Sequence, residues 1–267
     1  MKKLVLVFIF SMSGTIAVAQ SEIDLIQKTL NKYIEGTAQG NRTKLNEAFQ
    51  EGFQLFLVAG DTLRIIDGKQ YIQNVEPGKT YKRIAQIVSV DYENDTALGK
   101  IEVFFPDRKQ VATDYLLLLK GDNGWKIVHK IINLKSTAIT EELPEDESSN
   151  ITKLNATLLD YIEGTANGQL SRIHKAFQKG FNLYYVKEGT ITILEGEKYL
   201  GNFKEGKKNN RIGKVLGVDF EGDAAFGKVE VRMPERERRV IDYLLLLKIE
   251  GDWKIIHKSF TTQNYKI

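Results

Sequence analysis

The sequence predicts an α+β protein that consists of two copies of one domain. Three observations support this: the second half repeats the first at a constant spacing, helical periodicity precedes strand patterns in each copy, and a run of four leucines recurs near the end of each copy. The composition is that of an ordinary globular chain, with 42% hydrophobic and 27% charged residues. This balance excludes disordered, collagen-like and coiled-coil chains, and the lack of cysteine excludes a disulfide scaffold.

A shift of 128 positions aligns the two halves without a gap. It superposes residues 33–37 on 161–165 and residues 114–120 on 242–248, and 46 of the 98 pairs from 33 to 130 are identical. A long period with two copies indicates a duplicated domain rather than a solenoid, whose repeats are about 20 to 50 residues long. We therefore predict copy one at 21–135 and copy two at 149–267, joined by an acidic linker at 136–148.

Each copy is expected to begin with two helices. In copy one, apolar residues recur at helical spacing over 23–34, with Ser21 placed to cap the helix and Gly36 to end it. A second, shorter helix is expected over 45–49 and stops at Gly52. The same pattern recurs in copy two, so both copies are expected to share one topology.

Six strands and a third, short helix are expected to complete each copy. Strand-like runs cover 53–58 and 63–66, and a short helix surrounds Tyr71. Short turns connect the four strands that follow, so neighbouring strands are expected to run antiparallel. Helices followed by strands are typical of an α+β domain whose helices pack on one face of a sheet. The four later strands are predicted at 83–91, 96–105, 111–120 and 125–132.

The third of these later strands carries leucine on both of its faces. Residues 116–119 and 244–247 are each four consecutive leucines, whereas a half-exposed antiparallel strand alternates apolar with polar residues. One face can pack on the copy's own helices, so the other requires a second partner. We expect that partner to be the sheet of the other copy, which gives an intramolecular pseudo-dimer.

The first 19 residues have the features of a secretory signal peptide. Lys2 and Lys3 precede an apolar segment at 4–10, and residues 17–19 form a small-residue cleavage site. The alternative, an uncleaved membrane anchor, is disfavoured because the apolar stretch is interrupted and short for a bilayer span. We expect the mature chain to be secreted or periplasmic, without membrane association after cleavage. Cleavage lowers its formal charge from +3 to +1, which does not favour nucleic acid as a partner.

Three motifs, taken with the order of elements, resemble a known family. Tyr-Ile-Glu-Gly lies at the end of the first helix, Asp-Tyr-Leu in the third long strand, and Gly-x-Trp-Lys-Ile near the C-terminus. This pattern resembles the "Putative lumazine-binding" family of the nuclear-transport-factor-2-like superfamily across almost all of both copies. The resemblance implies a cone-shaped α+β barrel, in which a curved antiparallel sheet wraps around the helices and a pocket opens between them. The superfamily contains enzymes resembling ketosteroid isomerase, scytalone dehydratase and polyketide cyclase as well as non-catalytic members, so activity stays open.

An aspartate and a histidine on adjacent strands are candidates for acid–base chemistry. If Lys120 pairs with Trp125 across the turn, then Leu116 lies opposite His129, and Asp114, Trp125 and His129 share one face of the sheet. Asp114 would then orient the His129 imidazole, which could remove a proton next to a carbonyl or expel water from a substrate.

The same residues also have a structural explanation. A histidine on an apolar strand face is more often a packed, hydrogen-bonded residue, and a buried aspartate more often satisfies backbone donors or an arginine such as Arg83. Copy two carries the equivalent set Asp242, His257 and Trp253, to which both explanations apply.

Aromatic residues are the other candidates for a ligand pocket. The tryptophans are expected first to close the core, with ligand stacking as the alternative, and the remaining aromatic residues are expected first to be core residues on helices. The predicted ligand-binding residues are Tyr33, Phe49, Tyr71, Asp114, Trp125 and His129 in copy one, and Tyr161, Phe177, Tyr199, Asp242, Trp253 and His257 in copy two.

Other kinds of site find no support in the sequence. The three histidines include His174, which is matched by Asn46 on a helix surface, and without cysteine they form no zinc-binding set. No phosphate-binding loop and no serine or cysteine nucleophile motif is present, so neither a metal nor a cofactor is predicted. The basic run at 204–211 and the mixed run at 235–239 are expected to be solvated surface rather than a binding patch.

The preferred hypothesis is an exported, non-enzymatic protein with two cone-shaped domains, each holding a small apolar or aromatic ligand. One alternative is an isomerase or dehydratase that uses Asp114 and His129, with Asp242 and His257 in copy two. The other is a structural or interaction protein whose pockets are filled by side chains. Catalysis requires each Asp–His pair within hydrogen-bonding distance in an open cavity, and ligand binding requires a cavity of about 300 Å³ or more.

Overall fold

A computed structural model describes residues 21–60, 62–138 and 147–265. The predicted signal peptide and most of the predicted linker lie outside these described residues, so both stay predictions. Within the described ranges, no helix combines the length and the apolar character that a bilayer span requires.

The two copies have the same order of elements, as the repeat predicts. Copy one comprises α1 (Glu22–Ala38), α2 (Arg42–Ala48), β1 (Phe49–Ala59), β2 (Thr62–Asp67), α3 (Gly68–Gln73), β3 (Ile84–Glu93), β4 (Thr96–Phe105), β5 (Gln110–Gly121) and β6 (Gly124–Ser136). Copy two comprises α4 (Glu147–Asn167), α5 (Leu170–Ala176), β7 (Phe177–Lys187), β8 (Thr190–Glu195), α6 (Gly196–Leu200), β9 (Ile212–Glu221), β10 (Ala224–Met233), β11 (Arg238–Ile249) and β12 (Asp252–Asn264).

Each copy forms one six-stranded sheet, in the order β2-β1-β6-β5-β4-β3 and β8-β7-β12-β11-β10-β9. The predicted antiparallel pairing is correct for neighbours in sequence, but β1 pairs with β6, and β7 with β12, in parallel. These strands come from opposite ends of a copy, so no short turn fixes their direction. Strands β2 and β3 form the two edges of the first sheet, and β8 and β9 those of the second. Across the described residues each sheet is therefore an open, mixed sheet and not a closed barrel.

Helix α1 packs its apolar face against the concave side of the first sheet. Ser21 caps its start through a reciprocal pair of hydrogen bonds with Asp24, as the sequence predicts. Gly36, predicted to end the helix, instead lies inside it. A Cβ at Gly36 would approach Leu45 Cδ2 to 2.7 Å, so the glycine permits close packing of α1 on α2. The same correction applies to the matching glycine of α4.

The second helix is shorter than predicted. Helix α2 ends at Ala48, and the chain then enters β1 directly. Gly52, predicted to stop the helix, lies within β1 at φ +78°, where the pairing of β1 with β6 shifts register between Phe49 and Gln54. Its positive φ is a conformation that glycine adopts without strain, and it allows the bulge that follows the helix.

The faces of the two sheets that point away from the helices pack against each other, which confirms the predicted pseudo-dimer. In β5, Leu116 and Leu118 face the helices of their own copy, whereas Leu117 and Leu119 enter a core shared with copy two. The leucines of β11 alternate in the same way. The run of four leucines therefore supplies two cores at once.

Polar contacts surround this shared core in symmetric pairs. The Tyr115 hydroxyl donates to Asp219 at 3.0 Å, and its twin Tyr243 donates to Asp91 at 2.9 Å. Each of these aspartates also accepts a hydrogen bond from a lysine of the opposite copy. The contacts fix the register of one sheet against the other, and the concave face of each sheet is left to form a separate cone with its helices.

Candidate ligand-binding site

The predicted register between β5 and β6 is wrong beyond the first few residues. Lys120 does pair with Trp125, but the pairing shifts by one residue after Leu118, so that Leu117, not Leu116, lies opposite His129. A bulge in β6 inserts one extra residue and moves every later side chain to the opposite face. The same shift occurs in β12, where His257 lies opposite Leu245.

This bulge separates each histidine from the aspartate predicted to orient it. Asp114 faces the cone of copy one, whereas His129 faces the shared core between the copies. Both nitrogens of the His129 ring lack a hydrogen-bond partner within the described residues, so Asp114 does not hold the imidazole. His257 is also turned into the shared core, away from Asp242. The structure therefore does not assemble the predicted Asp–His pair in either copy.

Asp114 instead joins a buried group of three side chains in the cone. The Tyr33 hydroxyl donates to Asp114 Oδ2 at 2.6 Å, Lys130 Nζ lies 2.8 Å from the same oxygen, and Lys130 also donates to the Tyr33 hydroxyl. Lys130 Nζ lies 4.6 Å from the centre of the Tyr33 ring and 5.7 Å from that of Tyr71. The bulge that removed His129 from this face has brought Lys130 onto it.

Copy two contains the same group, formed by Tyr161, Asp242 and Lys258. Tyr161 donates to Asp242 Oδ2 at 2.5 Å, and Lys258 Nζ lies 3.0 Å from Asp242 Oδ1 and donates to the Tyr161 hydroxyl at 3.1 Å. All three side chains are buried. Each cone therefore contains one buried positive charge paired with one buried negative charge, as burial of ions requires.

The electrostatics of these groups keep both tyrosines protonated. Burial, followed by the nearby charge of Asp114, raises the pKa of Tyr33 well above its ordinary value. Burial and the charge of Asp242 raise the pKa of Tyr161 in the same way. Each phenol therefore acts as a hydrogen-bond donor to its carboxylate, and each carboxylate is neutralised by its lysine.

The cone of copy two opens to a cavity of about 580 Å³. Lys258, Tyr199 and Arg211 line this cavity, together with the aromatic side chains of Phe203 and Phe260. The Tyr199 hydroxyl and Arg211 Nε are buried and form no hydrogen bond within the described residues. A polar ligand could satisfy both groups, because a buried donor without a partner is energetically costly.

The predicted aromatic residues are distributed between cavity and core. Of the twelve predicted residues, Tyr199 lines the cavity of copy two, and Phe49 lines a second cavity of about 520 Å³ between α2, β1 and α3 of copy one. Phe177 packs in the core of copy two, in edge contact with Tyr161 at 5.5 Å. In copy one Tyr33 makes the same contact with Phe49, and Tyr71 packs at the margin of that core.

The tryptophans are buried in the cores of their copies. Trp125 donates its indole N–H to Glu22 at 2.9 Å, whereas the Trp253 indole N–H has no hydrogen-bond partner among the described residues. Both lie in the clusters that join helices to sheet, which agrees with the expectation that they close the core. Whether any of the twelve predicted residues contacts a ligand stays a prediction.

Sequence reasoning missed the residues that give the cone its charge. Lys130 and Lys258 are not among the predicted site residues, although a lysine repeated in two otherwise apolar strands is a recognisable pattern. Arg211 was expected to be solvated, but it is partly buried and lines the cavity. In the part of the chain that the structure describes, no group of three or more His, Cys, Asp or Glu is placed to hold a metal ion.

Comparison with solved structures finds proteins similar to one copy of the domain. An NTF-2-like protein of unknown function from Silicibacter pomeroyi is 20% identical, with a TM-score of 0.40, over 44% of this chain and 99% of that chain. NTF2-like proteins of unknown function from Shewanella baltica (18% identical, TM-score 0.40, 45% of this chain and 98% of that chain) and Methylobacillus flagellatus (19% identical, TM-score 0.40, 45% and 96%) are also similar. No curated protein matches the chain.

Comparison with protein families gives one match to each copy. The family described as "Putative lumazine-binding" matches residues 21–132 and again residues 149–261. Together the two matches cover most of the chain and confirm the resemblance predicted from its motifs. The chain therefore belongs to the "Putative lumazine-binding" family and carries two tandem copies of that family's domain.

Proposed function

We propose that this chain is an exported, non-catalytic protein that binds a small molecule in the cone of copy two. The observation that carries the proposal is the cavity of about 580 Å³, at whose wall the Tyr199 hydroxyl and Arg211 Nε are buried without a hydrogen-bond partner in the described residues. A volume of this size is within the range of sites for small organic ligands. The two groups are placed to contact polar atoms of such a ligand.

The contacts of Asp242 favour binding over catalysis. A general base must have a free lone pair within reach of the substrate proton. The Asp242 carboxylate is already engaged by Tyr161 and Lys258, and His257 lies on the other face of the sheet. The Asp–His mechanism of the isomerase or dehydratase kind therefore lacks a histidine beside Asp242 in the described residues.

The proposed export is supported by the N-terminal sequence alone. The basic start, the apolar segment and the small residues at 17–19 are typical of a cleaved signal peptide. Sequencing the N-terminus of the protein recovered from the cell that produces it is the direct measurement. We expect the mature chain to begin at Gln20, and a chain that still begins at Met1 in the cytoplasm would contradict export.

Native mass spectrometry of the mature protein tests the binding function. We expect a retained small molecule, or an adduct with an added aromatic probe such as lumazine, the compound named in the family description. The Tyr199→Phe variant should retain less of it, because it removes the buried hydroxyl at the cavity wall. Its twin Tyr71→Phe in copy one is the matched control and should retain as much as the unaltered protein. A folded protein that retains nothing and binds no added aromatic compound would overturn the proposal.

A further inference from the structure

We propose that the cone of copy two selects a planar aromatic molecule that carries an acidic group, a carboxylate, sulfonate or phosphate, and that copy one does not bind this class. The inference rests on the proposed binding function and adds the chemical class of the ligand and the copy that holds it. The two copies have the same fold and matching residues, so the positions at which their cones differ show what is particular to copy two.

The mouth of the copy-two cavity is rich in cations that form no ion pair with any residue the structure describes. Lys207, Lys208 and Arg236 line it together with Arg211, and within the described residues none of the first three forms an ion pair. The acid that lines the same mouth, Glu235, accepts a hydrogen bond from the Asn210 side chain at 3.2 Å. The cavity therefore presents an excess of positive charge, which attracts anions.

Copy one has fewer cations at the corresponding positions. Lys79, the twin of Lys207, pairs with Glu76 at 2.7 Å, and Thr80 stands at the position of Lys208. Arg108, the twin of Arg236, lies 5.5 Å from the ring centre of Phe105. In copy two, the position of Glu76 is occupied by Lys204. Copy two has a new acid in this segment, Glu205, but it accepts the Leu170 N–H at 3.0 Å, away from the cations. Among these positions, copy one therefore has one cation without an ion pair in the described residues, Arg108, and copy two has three, Lys207, Lys208 and Arg236.

The twin arginines differ in what covers them. In copy one, the guanidinium of Arg83 lies 5.6 Å from the ring centre of Tyr81 and 5.1 Å from that of Phe105. The Tyr81 hydroxyl accepts the Glu76 N–H at 3.1 Å, which holds this ring in place over the arginine. Two aromatic rings therefore lie beside the Arg83 guanidinium, although its Nε, like that of Arg211, is buried without a hydrogen-bond partner in the described residues.

In copy two the residues that match Tyr81 and Phe105 are not aromatic. Asn209 and Met233 stand at the positions of Tyr81 and Phe105, and the Asn209 side chain turns away to donate to the Thr165 carbonyl at 3.0 Å. The Arg211 guanidinium lies 5.6 Å from the ring centre of Phe203 and also interacts with the Tyr199 side chain. Arg211 lines the cavity, and a planar fork of this kind suits a carboxylate, sulfonate or phosphate.

The aromatic character of the ligand follows from the walls of the same cavity. Phe203 and Phe260 replace Val75 and Ile132 of copy one, so copy two has gained two rings at its mouth. Flat side chains beside a guanidinium favour a flat ligand that stacks on the rings while its acidic group meets the arginine. The two features, extra rings and uncovered cations, occur together in copy two.

A pair of fluorescent probes with the same ring system tests this inference. Anilinonaphthalene sulfonate carries an acidic group, and phenyl-naphthylamine is its neutral counterpart. We expect the mature protein to bind the sulfonate about tenfold more tightly at low salt, with the difference decreasing as salt is added. Arg211→Met should weaken sulfonate binding about tenfold and change binding of the neutral probe by less than about threefold.

Two further variants keep the test decisive. Arg83→Met, the matched change in copy one, should leave sulfonate binding unchanged. The double variant Lys207→Gln/Lys208→Gln alters exposed residues that do not support the fold, and it should weaken sulfonate binding severalfold even if Arg211→Met fails to fold. Circular dichroism establishes that each variant is folded before its binding is measured.

The possible outcomes separate the inference from the function on which it rests. If both probes bind equally and Arg211→Met affects them equally, selection of an anion is overturned while small-molecule binding stands. If Arg83→Met weakens sulfonate binding as much as Arg211→Met does, the assignment to copy two is overturned. If the folded protein binds neither probe, the proposed binding function itself fails.

Discussion

The imidazole rings of His129 and His257 contact each other between the two copies, with their centres 3.7 Å apart and their planes tilted by 49°. Each ring is also 4.9 Å from Phe56, and both side chains are fully buried in the shared core. His257 Nδ1 accepts the Asn182 N–H at 2.9 Å, which fixes its neutral form. Protonation of either ring would place a charge in this core next to a second imidazole.

This pair predicts that the protein loses stability in mild acid. Burial lowers the pKa of His257 to about 3, and burial followed by the proximity of His257 lowers the pKa of His129 well below its ordinary value. The unfolded chain takes up these protons near pH 6.5 and the folded chain does not, so stability is complete above pH 6.5 and decreases towards the folded-state pKa values. Urea unfolding should show little change between pH 7.5 and pH 6.5, and below pH 6.5 a loss that approaches about 1.4 kcal/mol per pH unit for each histidine.

The control for this prediction is the third histidine. His174 is exposed on α5, so His174→Gln should keep the full acid sensitivity. The double variant His129→Leu/His257→Leu removes both buried imidazoles and should flatten the dependence on pH. An unchanged slope in the double variant would show that other groups cause the acid sensitivity.

Removing one member of the buried ion pair should destabilise the fold strongly. Asp242→Asn leaves the charge of Lys258 buried without its partner, and we expect the free energy of unfolding to fall by about 3–5 kcal/mol. Tyr161→Phe removes one hydrogen bond to the carboxylate and should cost about 1–3 kcal/mol. Urea unfolding monitored by circular dichroism measures both changes.

A double variant distinguishes a paired charge from a simple loss of packing. Asp242→Asn/Lys258→Met removes both charges together and should recover much of the stability lost in Asp242→Asn. As a surface control, Glu195→Gln breaks the exposed pair with Lys198 and should change stability by less than about 1 kcal/mol. The single variant Lys258→Met completes this comparison. If the double variant loses as much stability as Asp242→Asn and Lys258→Met lose together, the loss does not come from breaking the ion pair.

Much of the fold could be predicted because its signals lie close together in sequence. The run Leu116–Leu119 identified both the cone core and the shared core, since alternate residues of a strand face opposite ways. The extra residue in β6 left no comparable signal, because apolar and polar side chains occur on both sides of it. One bulge was therefore enough to move His129 out of the cone and Lys130 into it.

The charged mouth of copy two could not be predicted for a different reason. It is built from residues 202–211, 233–236 and 258–260, which lie far apart in the chain and meet only when the sheet curves around α4. Lys207, Lys208 and Arg211 resemble a solvated loop until Asn209 is compared with Tyr81 at the same position of copy one. A residue-by-residue comparison of the two copies would have shown the lost ring.

The shared core predicts that the two copies unfold together. Each copy contains one tryptophan, whose fluorescence can report the unfolding of that copy. Trp253→Phe leaves Trp125 as the reporter of copy one, and Trp125→Phe leaves Trp253 as the reporter of copy two. Leu117→Ala creates a cavity in the shared core and should cost about 2–5 kcal/mol. Both reporters should move to the same lower midpoint in urea, although the substitution lies in copy one.

The comparison for this experiment is a leucine-sized side chain on the surface. Ile84 is 67% exposed, so Ile84→Ala should change the free energy of unfolding measured with either reporter by less than about 0.5 kcal/mol. Independent copies would behave differently: Leu117→Ala would lower the midpoint reported by Trp125 and leave that of Trp253 in place.

Exchanging the mouths of the two cones should exchange their binding properties. Asn209→Tyr/Met233→Phe gives copy two the rings that cover Arg83 in copy one, and we expect it to cover Arg211 and to weaken binding of anilinonaphthalene sulfonate about tenfold. The reciprocal change, Tyr81→Asn/Phe105→Met, removes the two rings beside Arg83. When it is added to the Asn209→Tyr/Met233→Phe variant, it should restore only part of the sulfonate binding, because Glu76 still pairs with Lys79. Titration of the probe into each variant, with the stoichiometry measured, gives both results. Tight sulfonate binding that persists after copy two is closed would mean that the anion enters elsewhere in the molecule.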